Sequence, residues 1–420
     1  MDDMYFCTME AEIITIGDEL LIGQTVDTNS AYLGQKLGSI GISISRKTAI
    51  SDNESAILTA IAESQSRCNL LIITGGLGPT KDDITKKTLC TYFNCGIRRD
   101  NSVVEHLEKI FAQRGRQLLD TNLIQADLPQ ACETLHNEVG TAPGMWFHEK
   151  NQIVISLPGV PVEVYHLIEE RVIPKLKSTL ELPIVEHRTL VTLQKAESLL
   201  SRDLEKFEKS LPPALSLAYL PNFNMVKLRL SQKANSKQEL IIDSYFDKLL
   251  SEIRDDVFCL GDKDPATHLA EFLIRENISF TTAESCTGGF VANRIMQTPG
   301  ISSVFPGSIV CYANDVKISE LGVDPQIIEN HGAVSEPCAL AMAKGVRAKF
   351  NTQLSIATTG VAGPNGGTEE KPVGLVFIAV STDTQTICKK FRLFGNREQI
   401  IQRSSNAAIW MVKQVLSIPV

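Results

Sequence analysis

Five consecutive positions, Leu70-Leu71-Ile72-Ile73-Thr74, run without a break into Gly75-Gly76-Leu77-Gly78-Pro79-Thr80. A strand that is apolar at every position has to be covered on both faces, which is the situation of a parallel sheet between layers of helices. The surrounding sequence agrees. Ala11–Ile16 reads as a short strand ending in Gly17-Asp18-Glu19-Leu20-Leu21-Ile22-Gly23, residues 30–37 as a helix and residues 42–48 as a strand. Asn53 is placed to cap a helix reaching about Arg67. Strands alternating with helices give an α/β layered fold. In open sheets of this kind the loops at the C-terminal ends of the strands hold ligands.

Gly75, Gly76 and Gly78 let backbone approach a phosphate closely, with Thr80 adding a hydroxyl. This is not a Walker A loop, because no Gly-Lys-Ser/Thr follows. Asp82 and Asp83 come next and would repel a bare phosphate. Two readings fit them: ligands of a divalent cation lying between protein and phosphate, or caps of a helix starting near Ile84. Gly159 and Pro161 turn the chain before a helix over 162–172, with Glu163 in its first turn. That carboxylate either complements the helix dipole or binds a metal or ribose.

A second strand-to-loop transition lies near residue 280. An apolar run over 278–281 breaks into Glu284-Ser285-Cys286-Thr287-Gly288-Gly289, and a helix follows over 290–296. A hydroxyl at such a turn is either an activated nucleophile or phosphate seat near free helix amides, or simply an N-cap. Cys286, next door, is intrinsically the better nucleophile; its alternative role is a small buried thiol. A strand over 308–312 leads into Ala313-Asn314-Asp315-Val316-Lys317. If this strand and the first are neighbours, Tyr312 and Lys317 return to Ser285. Further on, a buried strand over 354–358 meets a glycine-rich loop over 359–368. Strands over 375–380 and 386–393 pair as antiparallel neighbours, and Asn396 caps a closing helix over 397–415.

Between these regions no glycine occurs from Gly159 to Gly261. The order there is strand, helix, two strands, helix. The segment has no G-x-x-G loop of the kind that clamps RNA. The chain carries a formal charge of −8 over 420 residues, which argues against a protein built to grip nucleic acid or an anionic membrane. No apolar run approaches the roughly 20 residues of a membrane span, and the acidic N-terminus lacks a signal peptide's pattern. The ten cysteines are scattered with no metal-binding spacing, which reads as reduced thiols in a cytoplasmic protein.

Four motifs in order, ESCTGG, YANDVK, HGAVSEP and TTGVAGPNGGTEEKPVG, make the last third resemble the C-terminal domain of the CinA family, a nicotinamide mononucleotide deamidase. GDELL…DTN, TGGLGPTKDD and LPGVPVE make the first third resemble the molybdopterin-binding (MoaB/MogA-like) domain at the front of the same family. The resemblance implies three domains: an α/β sandwich over 10–175, a small KH-like α+β domain over 176–257 serving as spacer or dimerisation unit, and an α/β deamidase domain over 260–418. It also implies two activities. The front domain would hydrolyse ADP-ribose with a divalent ion (magnesium, manganese or cobalt) held by Asp83, Asp82 and Glu163. The last domain would need no cofactor.

Deamidation is acyl transfer and needs a nucleophile, a base and oxyanion donors. No histidine lies in a recognisable triad order, so a Ser–Lys pair is the attested alternative. The resemblance favours Ser285 as nucleophile; Lys317 is then either its base or a solvated helix residue, with Tyr312 to relay or hold the proton. Thr287, Gly288 and Gly289 would surround the oxyanion. Thr359, Gly360, Gly363, Gly366 and Gly367 would hold phosphate or ribose, and Arg403 either reaches a nucleotide phosphate or is exposed surface. Arg397 reads as exposed surface. The partners implied are nicotinamide mononucleotide and ADP-ribose, with no nucleic acid and no membrane, in a cytoplasmic homodimer. Competing readings are a pterin-binding protein and a non-catalytic scaffold linked to competence.

Overall fold

The computed structural model describes residues 9–80, 83–149, 152–234 and 239–420. Asp82 and most of the acidic N-terminal stretch therefore lie outside the described residues. The chain divides into two compact units, the first comprising residues 1–186 with 233–239 and the second 187–232 with 240–420.

In the first unit a six-stranded sheet runs in the order Ser43–Ile50, Glu10–Ile16, Leu70–Thr74, Gln152–Leu157, Gly144–Glu149, Glu133–Leu135. The first four strands are parallel, and the last two are antiparallel additions at one edge. All of Leu70–Thr74 is buried. Side chains alternate across a strand, so Leu70 and Ile72 enter one core with Ile13, Ile153 and Val164. Leu71 and Ile73 enter a second core with Ile14, Val154 and Leu107. Each such side chain contributes about 1.5–3 kcal/mol on burial. Asn53 caps the helix Glu54–Gln65 by accepting from the amides of Ser55 and Ala56. The strands at 144–149 and 152–157 were not expected. The helix after Pro161 also runs further than expected, as Pro161–Leu167, a π-turn Ile168–Val172 and Ile173–Thr179.

The second unit contains two sheets. The smaller has the order Leu215–Asn222, Met225–Ala234, Ile184–Leu193, Val257–Leu260. Helix Glu197–Lys209 buries Leu200, Leu204 and Phe207, a helical stripe, against it. Helix Ile242–Ile253 does the same through Phe246, Leu249 and Ile253. This layer has a core of its own, yet Val191, Leu193, Met225, Phe258 and Cys259 belong to the same core as Phe280 and Ile356. That continuity explains why residues 187–232 and 240–257 form one compact unit with the last third.

The larger sheet has the order Gly307–Val310, Phe280–Glu284, Leu354–Gly360, Leu375–Thr382, Thr386–Arg392. The first three strands are parallel and the last two antiparallel. One face is bulky: Phe280, Ile356 and Ile378 pack with the helices Pro265–Arg275 and Arg397–Leu416. The other is small: Ala283, Ala357 and Ala379 pack with Ala339, Met342 and Val346 of helix Glu336–Phe350. Gly345 on that helix is required by close approach, since a Cβ there would stand 1.8 Å from the carbonyl oxygen of Leu321. Leu321 ends the helix Asn314–Leu321, which carries Lys317.

Candidate active site

Strands Phe280–Glu284 and Gly307–Val310 are parallel neighbours, with Glu284 paired to Val310. Whatever follows one strand therefore lies beside whatever follows the other. Ser285 follows the first. Cys311 and Tyr312 follow the second, and the helix from Asn314 then brings Lys317 back over them. Lys317 Nζ lies 3.2 Å from Ser285 Oγ, 2.7 Å from the Cys311 carbonyl and 3.2 Å from the Tyr312 carbonyl. Lys317 is 1% exposed and Ser285 8%. Lys317 has no carboxylate in ion-pairing range among the described residues. Two of its three partners are carbonyl oxygens, which only accept; the hydroxyl of Ser285 is the one partner that can also donate.

The turn after Ser285 is tightly specified. Gly288 and Gly289 have φ of 62° and 93°, a region that favours glycine. The Ser285 amide donates to the Thr358 carbonyl, and the Gly288 amide to the Ser285 carbonyl. The amides of Cys286 and Thr287 have no backbone acceptor among the described residues. An open cleft of about 720 Å³ lies beside this turn, lined in part by Thr287, Gly288, Gly289, Phe290, Arg397 and Gln402.

Several expected roles meet other partners. The amides of Val291 and Ala292 at the start of helix Phe290–Met296 are not free for an anion, because the carboxylate of Glu284 accepts from both. Tyr312 contributes its carbonyl to Lys317, while the residue is 62% exposed and its hydroxyl accepts from Arg397 at 3.0 Å. Arg397 also donates to the Gly363 carbonyl at 2.8 Å, so it is fixed at the cleft rather than being loose surface. The Thr359 hydroxyl, expected to face a ligand, donates to the Ala333 carbonyl at 2.7 Å. Gly360 and Gly367 are required by contacts inside their own loop, where a Cβ would press on the backbone of Leu375 and Val373. Gly363 would meet the side chain of Val373, and Gly366 faces open space at φ 85°. Arg403 stacks on Phe394 at 3.7 Å and donates to its carbonyl, and burial lowers its pKa.

In the first unit, Gly75 and Gly76 have φ of 111° and 65°. A Cβ on Gly75 would lie 2.2 Å from the Ile16 carbonyl oxygen, and one on Gly76 2.1 Å from Thr85 Oγ1. Gly78 sits against Asp83. Asp83 does not cap the helix Thr85–Tyr92, which starts without a side-chain cap. Its Oδ2 accepts instead from the amide and hydroxyl of Thr80, at 2.8 and 2.5 Å. Glu163 accepts from Asn137 Nδ2 at 2.9 Å and packs against Gly140. Burial raises its pKa, and the Asn137 bond opposes the rise.

Two family models match: the CinA C-terminal domain over residues 262–416 and a probable molybdopterin binding domain over residues 12–178. A CinA-like protein of Flavobacterium psychrophilum is 42% identical over 413 residues, covering 97% of this chain and 99% of that protein. The chain belongs to the CinA family. A CinA-like protein of Cytophaga hutchinsonii is 40% identical over 408 residues, covering 97% of this chain and 98% of that protein. Among solved structures, the competence/damage inducible protein CihA of Agrobacterium tumefaciens is 34% identical, covering 37% of this chain and 97% of that chain, with a TM-score of 0.35.

Within this CinA-family chain the contact of Lys317 with the Ser285 hydroxyl separates the two adjacent nucleophile candidates, which are both buried. Burial pushes the Cys286 thiol up to about 12, which leaves almost no thiolate at neutral pH. Two further residues escaped the sequence reading. Glu284 is fully buried, and nothing in the sequence separates it from an exposed turn carboxylate. Lys86, one residue into the helix after the glycine loop, is buried, and its Nζ lies 2.6 Å from the Ile124 carbonyl. Burial lowers its pKa to about 8, against the opposing pull of Asp127 and Asp83. The signal for Lys86 lies in its tertiary partner 38 residues away, which no local pattern reveals.

Proposed function

We propose that this protein hydrolyses nicotinamide mononucleotide to nicotinate mononucleotide and ammonia at Ser285. The supporting observation is the buried Lys317, whose Nζ touches Ser285 Oγ and otherwise only two carbonyls. As a neutral amine it would donate its two hydrogens to Cys311 and Tyr312 and turn its lone pair toward the serine hydroxyl. Ser285 Oγ then attacks the carboxamide carbon as Lys317 takes the proton. The amides of Cys286 and Thr287, which have no backbone acceptor among the described residues, would stabilise the oxyanion. Return of the proton from Lys317 to the departing nitrogen releases ammonia, and water hydrolyses the ester by the same path in reverse. Tyr312 holds Lys317 through its carbonyl and Arg397 through its hydroxyl. Ser285→Ala, Lys317→Ala and the double variant test this reading. Residues that remove one proton together lose activity non-additively, so the three rates should be similar. A double variant far slower than either single would refute the pair.

For the first unit we propose ADP-ribose hydrolysis. Its glycine loop lies at the C-terminal end of the strand Leu70–Thr74, where such sheets bind phosphate ligands. Asp52 beside it has a raised pKa, from burial first and then from the charges of Asp18, Glu19 and Asp83. Such accumulated negative charge suits a hard divalent ion. No group of three or more His, Cys, Asp or Glu among the described residues makes a complete metal cage. An ion held by Asp83 and Asp52 would complete its shell with water and diphosphate oxygens, as magnesium commonly does, and would neutralise charge on the diphosphate. Pterin binding at the same loop is the second reading, favoured by the description of the domain matched at 12–178. Metal-stimulated release of AMP from ADP-ribose separates the two.

A further inference from the structure

Glu284 is the last residue of the strand that delivers Ser285, and it is fully buried. It has no basic partner within ion-pairing distance among the described residues. Its carboxylate instead accepts four hydrogen bonds. Oε1 takes the Ala292 amide at 2.8 Å and the Thr282 hydroxyl at 3.0 Å. Oε2 takes the Val291 amide at 3.0 Å and the Thr287 hydroxyl at 2.7 Å.

This acceptor sets the direction of the neighbouring hydroxyls. Thr287 gives its hydrogen to Glu284, so in its 2.7 Å contact with Thr358 it has to receive. The chain of donation runs from Thr358 to Thr287 to Glu284. The same Thr358 accepts the Ser285 amide through its carbonyl at 2.9 Å. Both ends of the turn are thereby tied down. Ser285 is anchored to the strand Leu354–Gly360, and Thr287, three residues beyond Glu284, is anchored back to the carboxylate. Between them lie the Cys286 and Thr287 amides.

We propose that Glu284 is a positioning residue for the Ser285 nucleophile turn, acting through Thr287 and Thr358 to fix the direction of the Cys286 and Thr287 amides. The proposal rests on Ser285 being the nucleophile and adds what holds it in register. A glutamine at 284 is isosteric, but whichever way its amide lies, its NH₂ meets a backbone amide, of Val291 or of Ala292. The turn must then shift, and a displacement on the order of 1 Å at reacting atoms costs about 100-fold in rate.

The test measures kcat and KM for ammonia release from nicotinamide mononucleotide in wild type, Glu284→Gln, Thr358→Val and Thr358→Ser, with melting temperature and hydrogen exchange of residues 285–292. Glu284→Gln should lower kcat about 100-fold at a nearly constant KM, with faster exchange across the turn. Thr358→Val should lower kcat in the same way, and Thr358→Ser, which keeps the hydroxyl, should restore it. If Glu284→Gln fails to fold, the Thr358 pair decides by the same criteria. A kcat within threefold of wild type, or one that falls only in proportion to the folded fraction, would overturn the proposal. Absence of ammonia release from wild type would remove the substrate assignment instead. Exchange at 285–292 in Glu284→Gln would then decide the positioning role, unchanged exchange refuting it.

Discussion

Replacing Lys317 by methionine separates what the lysine does for the reaction from what it does for the fold. The side chain is 1% exposed and bonds two carbonyls and one hydroxyl. Methionine fills similar volume but leaves the carbonyls of Cys311 and Tyr312 without this donor. Orphaning a buried acceptor costs about 1–3 kcal/mol, so the second unit should lose about 1–3 kcal/mol at the buried Cys311 carbonyl and less at the part-buried Tyr312 carbonyl. Typical stabilities of about 5–15 kcal/mol leave the variant folded at low temperature. Ser285→Ala removes one hydroxyl whose described side-chain partner is Lys317, and should cost about 0.5–1.5 kcal/mol. Loss of general-base catalysis should lower kcat by about 100- to 10,000-fold. Both variants should therefore be inactive, while only Lys317→Met melts markedly earlier. Ammonia release and thermal unfolding, each followed well below the transition, are the assays. A Lys317→Met protein that keeps kcat within about tenfold of wild type would refute Lys317 as base.

Lys317→Arg should not rescue activity, because arginine stays protonated; turnover near wild type would argue against proton abstraction. Cys286→Ala should keep near-normal deamidation, since burial holds that thiol near 12, and loss of activity there with retention in Ser285→Ala would transfer the nucleophile to the thiol. Asp83→Asn should abolish metal-stimulated ADP-ribose cleavage while leaving ammonia release intact; unchanged ADP-ribose turnover would remove Asp83 from that site. Burial lowers Lys86 from 10.5 to about 8, so between those values the unfolded chain binds more protons than the folded one. Stability should consequently rise with pH across that window, by at most about 3 kcal/mol from this residue. Lys86→Met should remove that share of the slope, measured by denaturant unfolding at several pH values; an unchanged slope would contradict the assignment.

Where hydrophobic pattern and capping agree, the sequence is a good guide to the fold. Leu70–Thr74 is a strand at its expected limits, and Asn396 caps the last helix in a reciprocal capping box with Gln399. The strand before Ser285 spans Phe280–Glu284, later than the apolar run over 278–281 implies. Thr282 and Glu284 are polar yet buried, so the strand reads as ending at Thr281 and the turn as starting at Glu284 until their bonding partners are known. Residue choice at the site was legible through motif spacing, but partnership was not. The contact between Ser285 and Lys317 depends on two strands being neighbours, a long-range fact. The Thr359 hydroxyl and the Val291 amide looked available in the sequence because their acceptors, the Ala333 carbonyl and Glu284, are brought to them only by folding.

The most direct test of the account is ammonia release from nicotinamide mononucleotide by wild type and Ser285→Ala side by side, with ADP-ribose hydrolysis of both as an internal control for folding. Wild type should release ammonia stoichiometrically with nicotinate mononucleotide. Ser285→Ala should fall by about 1,000-fold or more with its ADP-ribose activity unchanged. Wild-type protein that cleaves ADP-ribose but leaves the carboxamide intact, or a Ser285→Ala variant that still deamidates at the wild-type rate, would contradict a Ser285–Lys317 amidase.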